Sequence, residues 1–298
     1  MESSKYMKQQ DCLIRFLFAE QGARGEWVRL EKSWQQAKQF QVLASDAVET
    51  QLGEALAAVV LLSATIKFKG NMIMQLQGSG ELKALVVQAS HDRKVRGLVR
   101  SEEHVTANTL LDMLGAGRRL VLTVEAENAE PYQGIVGVEA DGLAQVLESY
   151  FTQSEQLKTR LWLFANKTHA AGLFIQELPN NNQDDLGWER LQILADTLTA
   201  EEMLNLDCET LLHRLFNAEQ VLVYPPDEVA FKCGCSVSKI SSTLVALGRV
   251  ELESILIERE HITVDCQYCG AQYQFDKVDV ENMLLNPLRD GAHPTTRH

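Results

Sequence analysis

The sequence is short of basic residues. Lys and Arg number 28 against 41 Asp and Glu, a formal net charge of -13 at pH 7. A protein that grips nucleic acid neutralises phosphates with cations, so the deficit argues against a phosphate-backbone binder. Long apolar runs are missing as well. The longest, ALAAVVLLSATI from Ala55 to Ile66, falls short of the roughly 18 to 20 residues that span a bilayer, and predicts a buried helix with no membrane partner. The opening MESSKYMKQQDCLIRF lacks a basic start followed by an apolar stretch and a small-residue cleavage site. No secretory signal is read there, and the expected compartment is the cytoplasm.

Enzyme signatures are also missing. There is no G-x-S-x-G elbow and no H-E-x-x-H. Gly78-Ser79-Gly80 begins like a dinucleotide loop, but Lys83 stands where a third glycine is needed, and the turn reads as part of a hairpin. Gly115-Ala116-Gly117-Arg118-Arg119 lacks the Lys-Ser/Thr ending of a phosphate loop. Glu102, Glu103 and His104 are adjacent and polar, which a solvated loop explains. Asn166-Lys167-Thr168 matches a glycosylation acceptor, which has no meaning in the cytoplasm. No internal repeat is found. The expectation is a protein that is not an enzyme.

What is present is a globular composition, 45% hydrophobic and 23% charged over 298 residues, a length that gives a soft expectation of two domains at ~100 to 200 residues each. The charge is unevenly spread. Residues 1–175 carry 19 basic and 20 acidic residues, 176–230 carry 2 and 12, and 231–298 carry 7 and 9, for nets of -1, -10 and -2. The acidic stretch opens with PNNNQDDLG, Pro179 to Gly187, and closes with YPPDE, Tyr224 to Glu228; such clusters mark boundaries. The predicted organisation is an α+β core at 1–178, an acidic helical linker at 179–230 and a small four-cysteine domain at 231–298.

Within the core, NMIMQLQ and LKALVVQA around a GSGE turn read as a hairpin, with Met72, Met74 and Leu76 on one face. VRGLVR, RLVLTVEA and YQGIVGVE are further strands, and ANTLLDML and DGLAQVLESYFTQS are helices. TRLWLFA and AGLFIQEL form a second hairpin. This is an α+β pattern with much antiparallel pairing. In the linker, WERLQILADTL, AEEMLNL and CETLLHRLFNA repeat apolar residues at three- and four-residue intervals, with Thr199 and Asp207 at N-cap positions. Helices this short are marginal alone and depend on docking an apolar face.

Four of the six cysteines, Cys233, Cys235, Cys266 and Cys269, form C-x-C and C-x-x-C pairs thirty residues apart. In a reducing cytoplasm such a cluster is expected to bind metal or sense redox state. Four thiolates suit tetrahedral zinc, and Gly270 permits the knuckle turn after Cys269. On spacing alone a closed, purely structural site remains open. His261, five residues before Cys266, is a weak alternative ligand. Thiolates are also the oxidisable form, and of the three connectivities, proximity favours Cys233 with Cys235 and Cys266 with Cys269. Cys12 and Cys208 read as buried small hydrophobes.

Taken with FKCGC (Phe231 to Cys235) and CQYCG (Cys266 to Gly270), the segments YQGIVGVE (Tyr132 to Glu139), YFTQSEQLKTRLWL (Tyr150 to Leu163), LLSATIKFKG, LQGSGELKALVV and AAGLFIQELP make the chain, from about Cys12 to about Leu284, resemble the redox-regulated 33 kDa chaperonins. These are heat-shock holdases of the bacterial cytoplasm. The resemblance implies an α+β core, a docked helical linker and a zinc domain. It also implies an ATP-independent holdase that is inactive when reduced with one zinc bound. Oxidation would form the two neighbouring disulfides, release zinc, unfold the C-terminal domain and loosen the linker, with homodimerisation on activation and a role in oxidative stress. The runner-up is a zinc-ribbon interaction or nucleic-acid module with a permanent structural site. A zinc hydrolase is a weaker third.

Overall fold

Strands β1 (Cys12–Phe18) and β2 (Ala23–Leu30) pair antiparallel, with Cys12 opposite Arg29 and Phe18 opposite Ala23. The alternation that reveals a half-buried strand is missing here because nearly every β1 and β2 side chain is covered. The computed structural model describes residues 10–179 and 185–285; residues 180–184 of the predicted linker opening and the last 13 residues lie outside them. The chain divides into two compact units, residues 1–232 and 233–298.

In the first unit, β1 and β2 join β8 (Thr159–Ala165), β9 (Ala170–Glu177) and β10 (Val221–Val223) in the order β10-β1-β2-β9-β8, and β11 (Asp227–Glu228) also pairs with β1. A second sheet contains β3 (Gly70–Gln77), β4 (Leu82–Ser90), β5 (Lys94–Ser101), β6 (Arg119–Ala126), β7 (Tyr132–Gly137) and β12 (Ala230–Phe231), in the order β12-β5-β4-β3-β6-β7. All pairs are antiparallel except β12 with β5. The fold class is therefore α+β with antiparallel sheets. Met72, Met74 and Leu76 are buried on one face of β3, as their spacing predicts.

Helix α1 (Lys32–Lys38) precedes α2 (Asp46–Thr65), the central element. Ser45 caps α2 by accepting a hydrogen bond from the Val48 N–H at 3.3 Å, and Asp46 and Glu49 complement the helix N-terminus. The apolar run read as a short buried helix is extended toward the N-terminus by these polar residues. By length and composition the 20-residue helix could cross a membrane, but 72% of its most apolar window is buried within this chain. It lies between the two sheets, against β2, β8 and β9 on one side and β3, β4 and β5 on the other. Gly53 allows the close approach: a Cβ there would stand 2.5 Å from the Ala165 Cβ.

Helix α3 (Leu110–Leu114) is shorter than the pattern predicts. The Glu81 carboxylate accepts hydrogen bonds from the N–H groups of Thr106 and Ala107 at 2.8 and 2.9 Å, holding that stretch out of the helix until Thr109 caps it. Helix α4 (Leu143–Tyr150) continues through a π-helical turn, Phe151–Glu155.

The outer face of the first sheet is covered by α5 (Asp185–Ala195), α6 (Ala200–Asn205) and α7 (Cys208–Phe216). Thr199 forms a capping box with Glu202, and Asp207 accepts from the Thr210 N–H at 2.9 Å. The second unit holds α8 (Val237–Val245), α9 (Arg249–Arg259), the hairpin of β13 (Ile262–Asp265) and β14 (Gln272–Phe275), and α10 (Lys277–Leu285). Its core is small: Leu244, Leu252, Ile262, Phe275, Val280 and Met283. Arg249 bridges α9 and α10 through Glu281 at 2.8 Å.

Candidate metal centre and the covered sheet face

Cys233 and Cys235 lie on the irregular segment before α8, and Cys266 and Cys269 lie on the turn between β13 and β14. That turn is built by backbone bonds: the Gly270 N–H donates to the Cys266 carbonyl at 2.8 Å, and the Cys266 N–H to the Ala271 carbonyl at 2.8 Å. Gly270 has φ +68°, the left-handed conformation its residue type favours.

All four sulfurs lie within 4.8 Å of one another. The Sγ atoms of Cys233 and Cys266 are 3.6 Å apart, and those of Cys235 and Cys269 3.5 Å. A tetrahedron with arms of about 2.3 Å to sulfur has edges near ~3.8 Å, so the donor set and spacing fit a four-thiolate site that could hold a metal ion. His261 is exposed and is not one of the clustered donors. Among the described residues this is the single such group of metal-ligating side chains.

Two neighbours that spacing does not flag lie beside these residues. The Tyr273 hydroxyl donates to Cys235 Sγ at 3.1 Å, and Lys239 Nζ lies 3.5 Å from where a Cβ on Gly234 would stand. Burial acts to raise the Cys235 pKa, but the Tyr273 hydrogen bond and those from neighbouring thiols prevail and bring it down to about 7. Cys266 is buried, while the other three are half-buried and open to a small solute. Tyr273 was recoverable in principle from its alternation with Phe275 in β14, which shows only that it shares a face with a core residue.

Cys12 and Cys208 take no part in this cluster. Both are buried in the apolar seam between the first sheet and helices α5–α7. Burial pushes the Cys12 thiol up to about 11 and holds that of Cys208 well above the ordinary thiol value, the usual condition of inert structural cysteines.

That seam is the other large feature. From the sheet come Ile14, Phe16, Phe18, Trp27, Leu173 and Ile175; from the helices come Trp188, Leu191, Met203, Leu211, Leu215 and Phe216. At about 1.5–3 kcal/mol per fully buried large apolar side chain, this contact dominates the docking of three helices too short to persist alone. Polar ties are few and peripheral. Arg29 donates to the Leu206 carbonyl at 2.9 Å, Arg160 pairs with Asp196 at 2.8 Å, and Gln21 donates to Glu219.

A family model described as "Hsp33 protein" matches residues 11–276. A 33 kDa chaperonin of Nitrosococcus oceani is 49% identical over 296 residues, 98% of this chain and all of the relative. One from Shewanella putrefaciens is 41% identical over 278 residues, 93% and 96% of the two chains. The crystal structure of the 33 kDa chaperonin of Thermotoga maritima superposes with a TM-score of 0.81 at 20% identity, covering 93% of this chain and 99% of the other, a likeness in fold.

Proposed function

The chain belongs to the Hsp33 family, a family of chaperones, and from that premise we propose that it is a redox-regulated, ATP-independent holdase of the cytoplasm, with no catalytic turnover of its own. It holds thermally unfolding and oxidatively damaged proteins in soluble form under oxidative stress. The observation that carries this reading is the covered apolar sheet face. Three short helices, cumulatively the most acidic part of the sequence, lie over a wall of Phe, Trp, Ile and Leu, and the chain leads from them into a unit with a small core and four clustered thiols.

The division of labour follows the expected segments: core 1–178, linker 179–230 and switch domain 231–298. Cys233, Cys235, Cys266 and Cys269 are the proposed ligands of a single zinc ion in the reduced protein. When bound, zinc would cross-link the segment before α8 to the β13–β14 turn, an apparent ~10–16 kcal/mol in small zinc domains. The six buried apolar residues of the second unit are a small core to fold without that cross-link.

Oxidation converts two thiols to one disulfide, consuming one peroxide and yielding two waters. Two close sulfur pairs join residues of different segments, Cys233 with Cys266 and Cys235 with Cys269, yet we assign the disulfides to Cys233–Cys235 and Cys266–Cys269. Once the unit loosens, sequence neighbours stay together while partners thirty residues apart separate, because short loops close at lower entropic cost. Sulfurs paired in disulfides no longer serve as ligands. The unfolded unit then shifts the linker toward release, exposing both its apolar stripes and the sheet face. Activation is accompanied by homodimerisation.

The test is light scattering of a heat-unfolding client with reduced and with peroxide-treated protein, alongside zinc released and thiols lost. Suppression by the oxidised form alone, with loss of four thiols, is expected. Equal suppression by both forms would sink the switch, and retention of metal through oxidation would favour a permanent structural site.

A further inference from the structure

A cavity of about 790 Å³ lies in the first unit where the C-terminal end of α2 meets the β4–β5 turn, with the segment from Tyr224 to Asp227 as one wall. Its size falls within the roughly 300–1,000 Å³ of small-molecule sites. Four cations line it, Arg15, Arg24, Lys67 and Arg93, against two carboxylates, Glu26 and Asp227. The cations outnumber the carboxylates in a chain whose net charge is -13. Arg24 is anchored from behind by the Thr65 carbonyl and Gln176, and Arg93 by the Ser63 carbonyl and hydroxyl. Arg93 holds φ +60°, an uncommon conformation for its residue type.

Two buried atoms in this lining lack hydrogen-bond partners. Glu26 is only 2% exposed, and its Oε2 accepts nothing; Arg93 Nε donates to nothing, its nearest carboxylate being Asp227 at 3.9 Å. An ion cluster serving stability alone would satisfy its members, since an unpaired buried polar atom is costly. Both atoms are themselves covered, but they belong to side chains that line the cavity.

We propose that this cavity binds a small phosphomonoester. The phosphate, with a charge near -2 at neutral pH, is held by Arg93, Arg24 and Lys67. Phe68 and Tyr224 supply apolar surface for the body of the ligand. The site is built from residues of the first unit alone, and the inference does not rest on the cysteine switch.

The experiment is isothermal titration calorimetry on the reduced full-length protein with AMP and glucose 6-phosphate, and with inorganic phosphate, adenosine and glucose for comparison. Saturable one-to-one binding of at least one phosphomonoester is expected, with the corresponding neutral compound and inorganic phosphate at least about ten-fold weaker. Lys67→Gln, at an exposed position, and Arg93→Gln should each weaken binding about ten-fold with the far-UV circular dichroism unchanged. No saturable binding of any phosphate, or binding untouched by Lys67→Gln and Arg93→Gln, overturns the proposal. So does inorganic phosphate binding as tightly as both esters.

Discussion

The Phe216 ring, in the last turn of α7, stands edge-on to Phe18 of β1 with centroids 4.9 Å apart and planes at 74°. This pair ties the end of the linker to the first strand of the core. Truncation of a buried Phe costs about 3–5 kcal/mol, a large share of what holds this nine-residue helix in place. Phe216→Ala is therefore expected to release the linker without oxidation. The reduced variant, still carrying its metal, should suppress client aggregation in light scattering to a substantial fraction of the oxidised parent's level. A reduced variant as inactive as the reduced parent would show that the seam does not control activity.

Cys12 and Cys208 report on the same seam. Burial and raised pKa values make both poor nucleophiles while the linker is docked. In reduced protein, maleimide should label them far more slowly than it labels the half-buried cysteines of the second unit. After peroxide treatment the order reverses, because the four switch thiols are consumed and Cys208 is uncovered. Peptide mapping of the adducts reads the result; identical Cys208 labelling before and after oxidation would mean that the linker stays docked.

The hydrogen bond from Tyr273 to Cys235 orients one proposed ligand. Partners of this kind are typically worth 10- to 100-fold in metal affinity. Tyr273→Phe should accordingly bind zinc about ten-fold or more weakly in chelator competition at neutral pH. Full removal of metal from the reduced parent should make residues 233–298 protease-sensitive while the first unit resists digestion. An unchanged zinc affinity would leave Tyr273 with a packing role only.

Glu54 of α2 is mostly buried, and burial raises its pKa from 4.5 to about 7. The folded state then binds a proton that the unfolded chain has lost, so this residue's contribution is intact below about pH 4.5 and is lost as pH rises through about 7. Glu54→Gln removes that decline. The variant should match the parent near pH 5 and exceed it at pH 8 by up to roughly 3 kcal/mol, from 1.36 kcal/mol per pKa unit. Urea unfolding followed by Trp fluorescence at the two pH values provides the check, and an advantage that does not grow with pH would contradict the assignment.

The legibility of this molecule in its sequence followed the range of each signal. The four clustered cysteines stood out because two tight spacings survive as strings. Thr199 and Asp207 did so because an N-cap is a three-residue event, and the β3–β4 hairpin because one of its faces is buried and the other is not. The β1–β2 hairpin was silent: with α2 on one side and α5–α7 on the other both faces are covered, β1 is a nearly continuous apolar run, and β2 sets Arg24, Glu26 and Arg29 among its buried residues, so period two vanishes. The cavity was beyond reach for another reason. Arg15, Arg24, Lys67, Arg93 and Asp227 are brought together from five separate stretches of chain, and no local pattern encodes their meeting. Tyr273 fell between these cases, legible as a core-facing residue but not as the partner of a sulfur.

The stretch from Val221 to Phe231 finishes the border of both large sheets. It adds β10 and β11 beside β1 and then β12 beside β5. A border strand hides a row of backbone donors and acceptors that would otherwise invite any extended peptide to pair. Eleven consecutive residues thus act as a common selvage for two fabrics, and if they are pulled away with the linker, both begin to fray together. The newly bared β1 and β5 margins offer main-chain pairing, which reads no side chains and so asks nothing of the identity of what it receives.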